Sequence, residues 1–374
     1  MILTEFHVSG YKSLYDCKIT DLQPINVFHG DNNVGKSNIL EALELFCRVL
    51  KGDRSKPSAD AFSWGEDAMN LEGLLTPLDK GSLKVKVQFD RAHDMAAPVL
   101  VNEAPQNPQA LPRVFDSALD FYRIPARRRL EVEQETQSEQ PLDPTGTNLK
   151  ERLFWASVSQ DPEERKAFYN VLRPLFAESP LALGTLQPVA APGGPYNLQI
   201  ETPTRSVPLE QMGSGIQQLV LLSGLITLSR AAVIAIEEPE MNLSWPTQKK
   251  LRLILQRMVE QRDAPPYQIF ISSHSPLFEF YENFYRVEMV DGRTQVTRVE
   301  NAERRRIFDG VLPPADKRAA WLHGENVVIL PSYVVETLDV QQGDLVYFLP
   351  QKDRVLMLGE EDFADMTRPG DEEA

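Results

Sequence analysis

The sequence predicts an α/β fold, and three observations carry that prediction. A short apolar run, Ile25–Phe28, passes through His29 into Gly30-Asp-Asn-Asn-Val-Gly35-Lys36-Ser37 and then into a helical pattern. A second apolar run, Ala231–Ile236, has no polar break and ends in Glu237-Glu238-Pro239-Glu240. A third, Gln268–Ser272, ends in Ser273-His274-Ser275-Pro276. Short apolar runs alternating with amphipathic stretches indicate βαβ units around a parallel sheet. Polar residues just past the C-terminal strand ends lie where such sheets place ligand chemistry.

In chain order, Leu3, Phe6, Val8 and then Ile19 follow a strand pattern, and Ile25-Asn-Val-Phe28 reads as a buried strand. A helix is predicted from Lys36 to about Lys51, with Ile39, Leu40, Leu43, Leu45, Phe46 and Val49 on its apolar side. Ser82–Asp90 alternates and reads as a strand, and the Pro- and Ala-rich segment 93–113 reads as a loop. A basic knot follows at Arg123, Arg127, Arg128 and Arg129. Its partners are either Glu131, Glu133 and Glu135, or insertion helices, or a phosphate-bearing or polyanionic ligand suited to guanidinium forks. Residues 137–147 read as a linker, and a helical stretch runs from Asn148 to about Phe176. Short strands with Pro and Gly turns are expected over 181–210. Helices are expected over 216–229 and 245–260, beside buried strands over 232–236 and 268–272. The block 326–359 has β-type alternation of its own, and no internal repeat is visible.

Composition narrows the function classes. The 374 residues carry a formal net charge of −15, so general polyanion binding is excluded and any nucleic-acid contact needs a local basic patch. Two cysteines, Cys17 and Cys47, are too few for a disulfide framework or a zinc site. The N-terminus has the pattern of no signal peptide, and the most apolar window, Leu219–Leu228, is too short to span a bilayer. A cytoplasmic protein without a membrane partner is expected.

The first motif has the form G-x-x-x-x-G-K-[ST] in its required strand–loop–helix setting. Gly30 and Gly35 let the backbone wrap tightly, so that N–H groups point at phosphate oxygens. The helix N-terminus adds its positive dipole end. Lys36 supplies a point charge for β- and γ-phosphates, and Ser37 offers a hydroxyl to Mg²⁺. Asn32, Asn33 and Asn38 complete the expected phosphate-loop set. Glu237 is expected to hold the Mg²⁺ hydration shell, and Glu238 to orient or deprotonate the attacking water. Glu240 is either a helix-leading acid or a further catalytic group. His274, in a polar loop past a strand end, is placed to hydrogen-bond a γ-phosphate. ATP and Mg²⁺ are the expected ligands.

The order GDNNVGKS, MGSGIQQ, VIAIEEPEMNL, IFISSHSP resembles an ABC-type ATPase head, and more narrowly the SMC-like and RecF-like branch that includes the OLD nucleases. The resemblance covers about residues 1–310. It implies a two-lobed P-loop fold with a mostly helical insertion and a small β-rich C-terminal appendage. The implied divisions are 1–92 for the first lobe, 93–200 for the insertion, 201–312 for the second lobe and 313–374 for the appendage and acidic tail. It also implies that Gly213, Ser214 and Gly215 are the signature that closes on ATP held by a partner chain. Met241–Trp245 would cross that dimer interface, and His274 would be the switch histidine. Lys36, Glu238 and His274 are the implied catalytic set.

Departures from the family pattern accompany the likeness. Glu237 stands where transporter ATPases carry aspartate, MGSGIQQ differs from the transporter signature, and Ser244 stands where many relatives have histidine. The Q-loop falls either at Gln88 or at Ile124-Pro-Ala-Arg127. Tyr11 and Lys12 are either adenine contacts or strand-end residues. OLD nucleases carry a TOPRIM nuclease domain after the ATPase, and the stretch past 310 is too short for one. The segments Asn326–Pro331, Val334–Asp344, Leu345–Phe348 and Arg354–Leu358 resemble the AbrB/MazE swapped-hairpin fold, or else complete the ATPase lobe.

The resemblance implies a homodimer or higher homo-oligomer whose ATP state controls a separate effector chain, a nuclease or toxin, in bacterial antiphage defence. Two alternatives remain. One is a RecF-like DNA-maintenance ATPase with nucleic acid as partner, and the other an ATP-gated scaffold that scarcely hydrolyses.

Overall fold

In the computed structural model, strand β1 (Ile2–Tyr11) pairs antiparallel with β2 (Leu14–Ile19) on one side and β4 (Ala68–Thr76) on the other. β5 (Leu83–Asp90), β6 (Leu100–Val101) and β7 (Ala104–Pro105) extend the sheet, giving the order β2-β1-β4-β5-β6-β7. The structure describes residues 1–299 except 77–80, 108–109, 112–114, 116–118, 131–140, 179–180, 191–195, 261–264 and 276–282, and beyond 299 four short strands. Glu131, Glu133 and Glu135, Pro276 and the acidic tail lie outside the described residues.

A second sheet has the order β15-β14-β3-β13-β12-β8. Its members are β3 (Ile25–His29), β8 (Phe121–Ile124), β12 (Val233–Glu237), β13 (Gln268–Ser273), β14 (Phe284–Val290) and β15 (Arg293–Arg298). All its pairings are parallel except the β14–β15 hairpin. β12 and β13 are buried through their apolar runs, as strands covered on both faces must be.

Helix α1 (Lys36–Leu50) lies between the two sheets. Ile39, Leu40, Leu43, Phe46, Val49 and Leu50 are buried, and so are Ala42, Leu45 and Cys47, so the helix is apolar well beyond one stripe. Phe46 meets Phe6 of β1 edge to face, with centroids 5.6 Å apart. At Gly73 of β4 an added Cβ would come within 2.6 Å of the Phe46 ring, so the glycine admits the ring. Phe28 stacks on Phe270 within the central sheet. The buried Gln268 accepts from the Leu3 N–H at 3.0 Å and donates to the Leu3 carbonyl at 2.8 Å, joining the sheets as a main-chain pair would.

The segment between β8 and β12 holds α2 (Leu149–Val158), shorter helical turns over 162–177, and a three-stranded sheet of β11 (Ser206–Pro208), β10 (Tyr196–Glu201) and β9 (Thr185–Ala190). α2 packs on α3 (Ser214–Ser229). Gly224 of α3 sits against Leu149, and an added Cβ at Gly146 would come within 2.3 Å of Leu221. α4 (Trp245–Glu260) precedes β13.

The chain divides into two units, Met1–Val299 and Glu300–Ala374. In the second, β16 (Trp321–His323) pairs with β17 (Val327–Ile329), and β18 (Tyr347–Pro350) with β19 (Val355–Leu358), both antiparallel. The rest of the 326–359 block lies outside the described residues. Among the described residues no helix is long and apolar enough to cross a membrane.

Several expected elements form where the apolar periodicity places them: α1, β5, the helical stretch after Asn148, α3, β12, α4 and β13. The periodicity reading passed over β4, although Met69, Leu71 and Leu75 alternate with more exposed residues. It also passed over β8, because Phe121-Tyr-Arg-Ile124 holds an arginine where a buried strand should be apolar. The loop expected over 93–113 contains the short strands β6 and β7.

Candidate functional site

The loop between β3 and α1 is shaped by its glycines. At Gly30 an added Cβ would lie 2.2 Å from the Val287 carbonyl oxygen. Gly35 has φ of 102°, and a Cβ there would fall 2.0 Å from Thr294 Oγ1, so no other residue fits. Asn33 is also left-handed, with φ of 64°. Asp31, Asn32, Asn33 and Ser37 are exposed, whereas Lys36 is buried. The Lys36 ammonium donates to the carbonyls of Gly30 at 2.8 Å and Asp31 at 2.7 Å, which places it inside the loop. Burial lowers its pKa, opposed by the charges of Glu238, Glu240 and Asp31. Asn38 donates to Ser13 Oγ at 2.7 Å, Ser13 Oγ meets Thr294 Oγ1 at 2.7 Å, and Thr294 donates to the Val34 carbonyl at 2.8 Å. This polar chain anchors the loop to β15.

The strand order sets the acids beside the loop. β13 separates β3 from β12, so His274 follows the strand between the phosphate loop and the acid pair. Glu237 closes β12, and Glu238 turns left-handed with φ of 42°. That conformation is costly for a residue with a side chain and is held by its surroundings. The Glu238 N–H donates to the Ser272 carbonyl at 2.8 Å, and the Glu238 carbonyl accepts from Arg128 Nη2 at 2.9 Å. Arg128 Nη1 also reaches the Glu237 carbonyl at 2.8 Å and that of Pro125 at 3.0 Å. Burial brings the pKa of Arg128 down to about 10, against the pull of Glu240, Glu238 and Glu237. It remains a cation at neutral pH.

The two adjacent glutamates face different partners. Glu237 accepts from Arg123 of β8, Nε to Oε1 at 2.6 Å. Glu238 Oε1 lies 3.3 Å from His274 Nε2. Glu240 Oε1 accepts the His274 N–H at 2.6 Å, which makes Glu240 an anchor for the histidine loop. Its Oε2 is buried and has no partner among the described residues, and the same holds for Nδ1 of His29. The His29 ring stacks on Phe284, with centroids 5.1 Å apart.

The residues expected to form the signature lie at the start of α3. Gly213 and Ser214 are exposed at the start of α3, and a Cβ at Gly213 would meet nothing within 4 Å. Gly215 packs against Thr247 of α4. Met241, Asn242 and Ser244 are exposed in the loop before α4. The buried Lys150 of α2 reaches Glu210 at 2.6 Å, just before the signature.

Of the two Q-loop candidates, Gln88 lies exposed on β5 of the antiparallel sheet, whereas Ile124–Arg127 leaves β8 beside the end of β12. Tyr11 and Lys12 both donate to Glu41 Oε2 of α1, a strand-end arrangement. Sequence reasoning offered the basic knot as a phosphate-side group but could not separate Arg123 and Arg128, which reach this edge, from Arg127 and Arg129, since four nearby arginines cannot be told apart by composition. It also missed Ser13 and Thr294, which carry no motif.

The residues present fit a nucleoside triphosphate with a divalent cation. Glycines hollow the loop, Lys36 occupies its inside, and the exposed residue Ser37 follows it. Buried polar atoms of Glu240 (Oε2) and His29 (Nδ1) have no partner among the described residues at the same edge.

Fold and site together define an ABC-type P-loop ATPase of the SMC-, RecF- and OLD-like branch. The match to the family described as "AAA domain, putative AbiEii toxin, Type IV TA system" spans residues 25–278, and the chain belongs to that family. It is 23% identical to an OLD nuclease from Thermus scotoductus over an alignment 365 residues long, covering 81% of this chain and 65% of that one. It is 29% identical over 105 residues to the DNA replication and repair protein RecF of Chloroherpeton thalassium, 28% of either chain. The chain thus covers less than two thirds of either curated relative. The SMC head domain from Thermotoga maritima shares the fold, with TM-score 0.53 and 15% identity over 80% of this chain and 100% of that one.

Proposed function

We propose that this chain binds ATP with Mg²⁺ and hydrolyses it as a cytoplasmic head-to-tail homodimer whose nucleotide state holds or releases a separate effector. The observation that carries the reading is the 3.3 Å approach of Glu238 Oε1 to His274 Nε2, one strand away from the phosphate loop. Main-chain N–H groups of the loop Gly30–Gly35, with Asn32, Asn33 and Asn38 around it, cradle the phosphates. Lys36 leaves its carbonyl partners for the β- and γ-oxygens. Ser37 and Glu237 hold the metal, which when bound neutralises charge developing on those oxygens. Glu238 takes the proton of the attacking water, and His274 contacts the γ-phosphate and reports its loss.

The exposed signature at Gly213–Gly215 supports a partner chain's phosphate as its ligand, since helix N-termini favour anions. The family's toxin–antitoxin description and the OLD nuclease match support a toxin or nuclease as that effector, and antiphage defence is the setting we propose for it. The RecF match favours a second reading, a DNA-dependent ATPase. Glu238→Gln tests the first claim. It should bind ATP as the parent does and turn over slower by roughly 100-fold or more. Near-parental turnover would reject Glu238 as the base. Intact binding with no turnover in the parent would leave an ATP-gated scaffold. Co-purification of a neighbouring gene's product would favour effector control, and DNA-stimulated turnover the RecF-like reading.

A further inference from the structure

The basic knot divides in the structure. Arg127 and Arg129 are exposed, whereas Arg123 and Arg128 turn toward the acid edge. Arg128 grips main-chain carbonyls; Arg123 grips carboxylates. Its Nε and Nη2 approach the same oxygen, Glu237 Oε1, at 2.6 and 2.5 Å. Nη2 also lies 3.1 Å from Glu41 Oε1, and Nη1 3.4 Å from Glu44 Oε2. Lys12 holds the other oxygen of Glu41. Two cations therefore face three carboxylates from β12 and α1. The Arg123 and Glu237 side chains are only 24% and 13% exposed, so solvent screens that pair weakly, whereas Glu44 at 47% is screened more. Without the guanidinium, three carboxylates would face one ammonium. With the guanidinium between them these acids form no metal-holding group, as is true of all the described residues, and its removal leaves unpaired carboxylate oxygens of the kind that attract hard divalent cations.

We propose that Arg123 is a resident counter-ion for Glu237, keeping divalent cations off the acid cluster until a phosphate-bearing ligand arrives. The inference rests on Glu237 being the metal-side acid. Both short contacts fall on Oε1, so Oε2 stays available to the hydration shell of a metal that comes with nucleotide. A nucleotide-borne metal has phosphate oxygens as ligands and needs little of the cluster's charge. A bare cation has only the cluster, and Arg123 already neutralises it. Arg123 is a positioning residue, acting through Glu237.

The test is Mn²⁺ binding to the nucleotide-free full chain, followed by the electron paramagnetic resonance of free Mn²⁺. Arg123→Gln should bind Mn²⁺ roughly tenfold tighter than the parent or better. Adding Glu237→Gln should abolish the gain. Arg123→Lys should fall between parent and Arg123→Gln, because one ammonium cannot fork across three carboxylates. Parental Mn²⁺ affinity in a folded Arg123→Gln would overturn the proposal, and so would a gain that survives Glu237→Gln. If circular dichroism shows Arg123→Gln unfolded, Arg123→Lys decides, and parental affinity there overturns it. ATP binding by the parent is measured separately. Its failure would sink the nucleotide reading, whereas intact ATP binding with no Mn²⁺ gain would sink the counter-ion alone.

Discussion

At the residue scale, burial separates arginines that look alike in sequence. Arg128 is 6% exposed and donates to the carbonyls of both Glu237 and Glu238, while Arg127 is exposed. Arg128→Gln leaves those acceptors short of donors and releases Glu238 from its left-handed turn. It should cost about 1–3 kcal/mol in urea unfolding, against less than about 0.5 kcal/mol for Arg127→Gln. Equal small losses would mean that Arg128 clamps nothing. His29 gives a pH signature. Burial lowers its pKa to about 4, with His274, Lys36 and Arg286 repelling a proton and Asp31 attracting one. The unfolded ring titrates near about 6.5, so the unfolded state binds more protons between those values. The stability conferred by the neutral ring is therefore complete above pH of about 6.5 and declines as pH falls toward about 4. His29→Asn should lose this part of the pH dependence. Urea midpoints near pH 7 and near pH 5 check it, and identical slopes in parent and variant would reject it.

At the element scale, α3 links the insertion to the signature. Ser214 at its exposed start is predicted to meet nucleotide held by another copy. Ser214→Arg should bind ATP with parental affinity yet fail to dimerise with ATP in light scattering. Loss of ATP binding by the variant monomer would place Ser214 in its own chain's site instead. The elements legible in the sequence are those with one dominant signal. The phosphate loop is dictated by Gly30, Gly35 and Lys36 in a local run, and β12 and β13 by unbroken apolar stretches. β8 was illegible because its Arg123 is paid for by carboxylates 79 and 82 residues away in α1 and by Glu237 114 away. Ser13 and Thr294 meet across 281 residues of sequence, a contact no local pattern encodes. Glu240 shows the limit within a motif. Its spacing suggests chemistry, and only the fold reveals its bond to the His274 N–H.

At the scale of the whole first unit, α1 carries three loads at once. Its N-terminus forms the phosphate loop, its apolar surface fills the space between two sheets, and Glu41 and Glu44 meet Arg123. Gln268 fastens the sheets to each other, and Lys150 fastens the insertion to the residues before the signature. The strand order has one more consequence. With β13 interposed, the loop strand and the acid strand stand two sheet spacings apart, about 10 Å. The sheet acts as a fixed caliper, with phosphate loop and Glu238 as its jaws and His274 on the bar between them. Main-chain hydrogen bonds set that gap, so substitutions in the jaws can change what is gripped but not how far apart they stand.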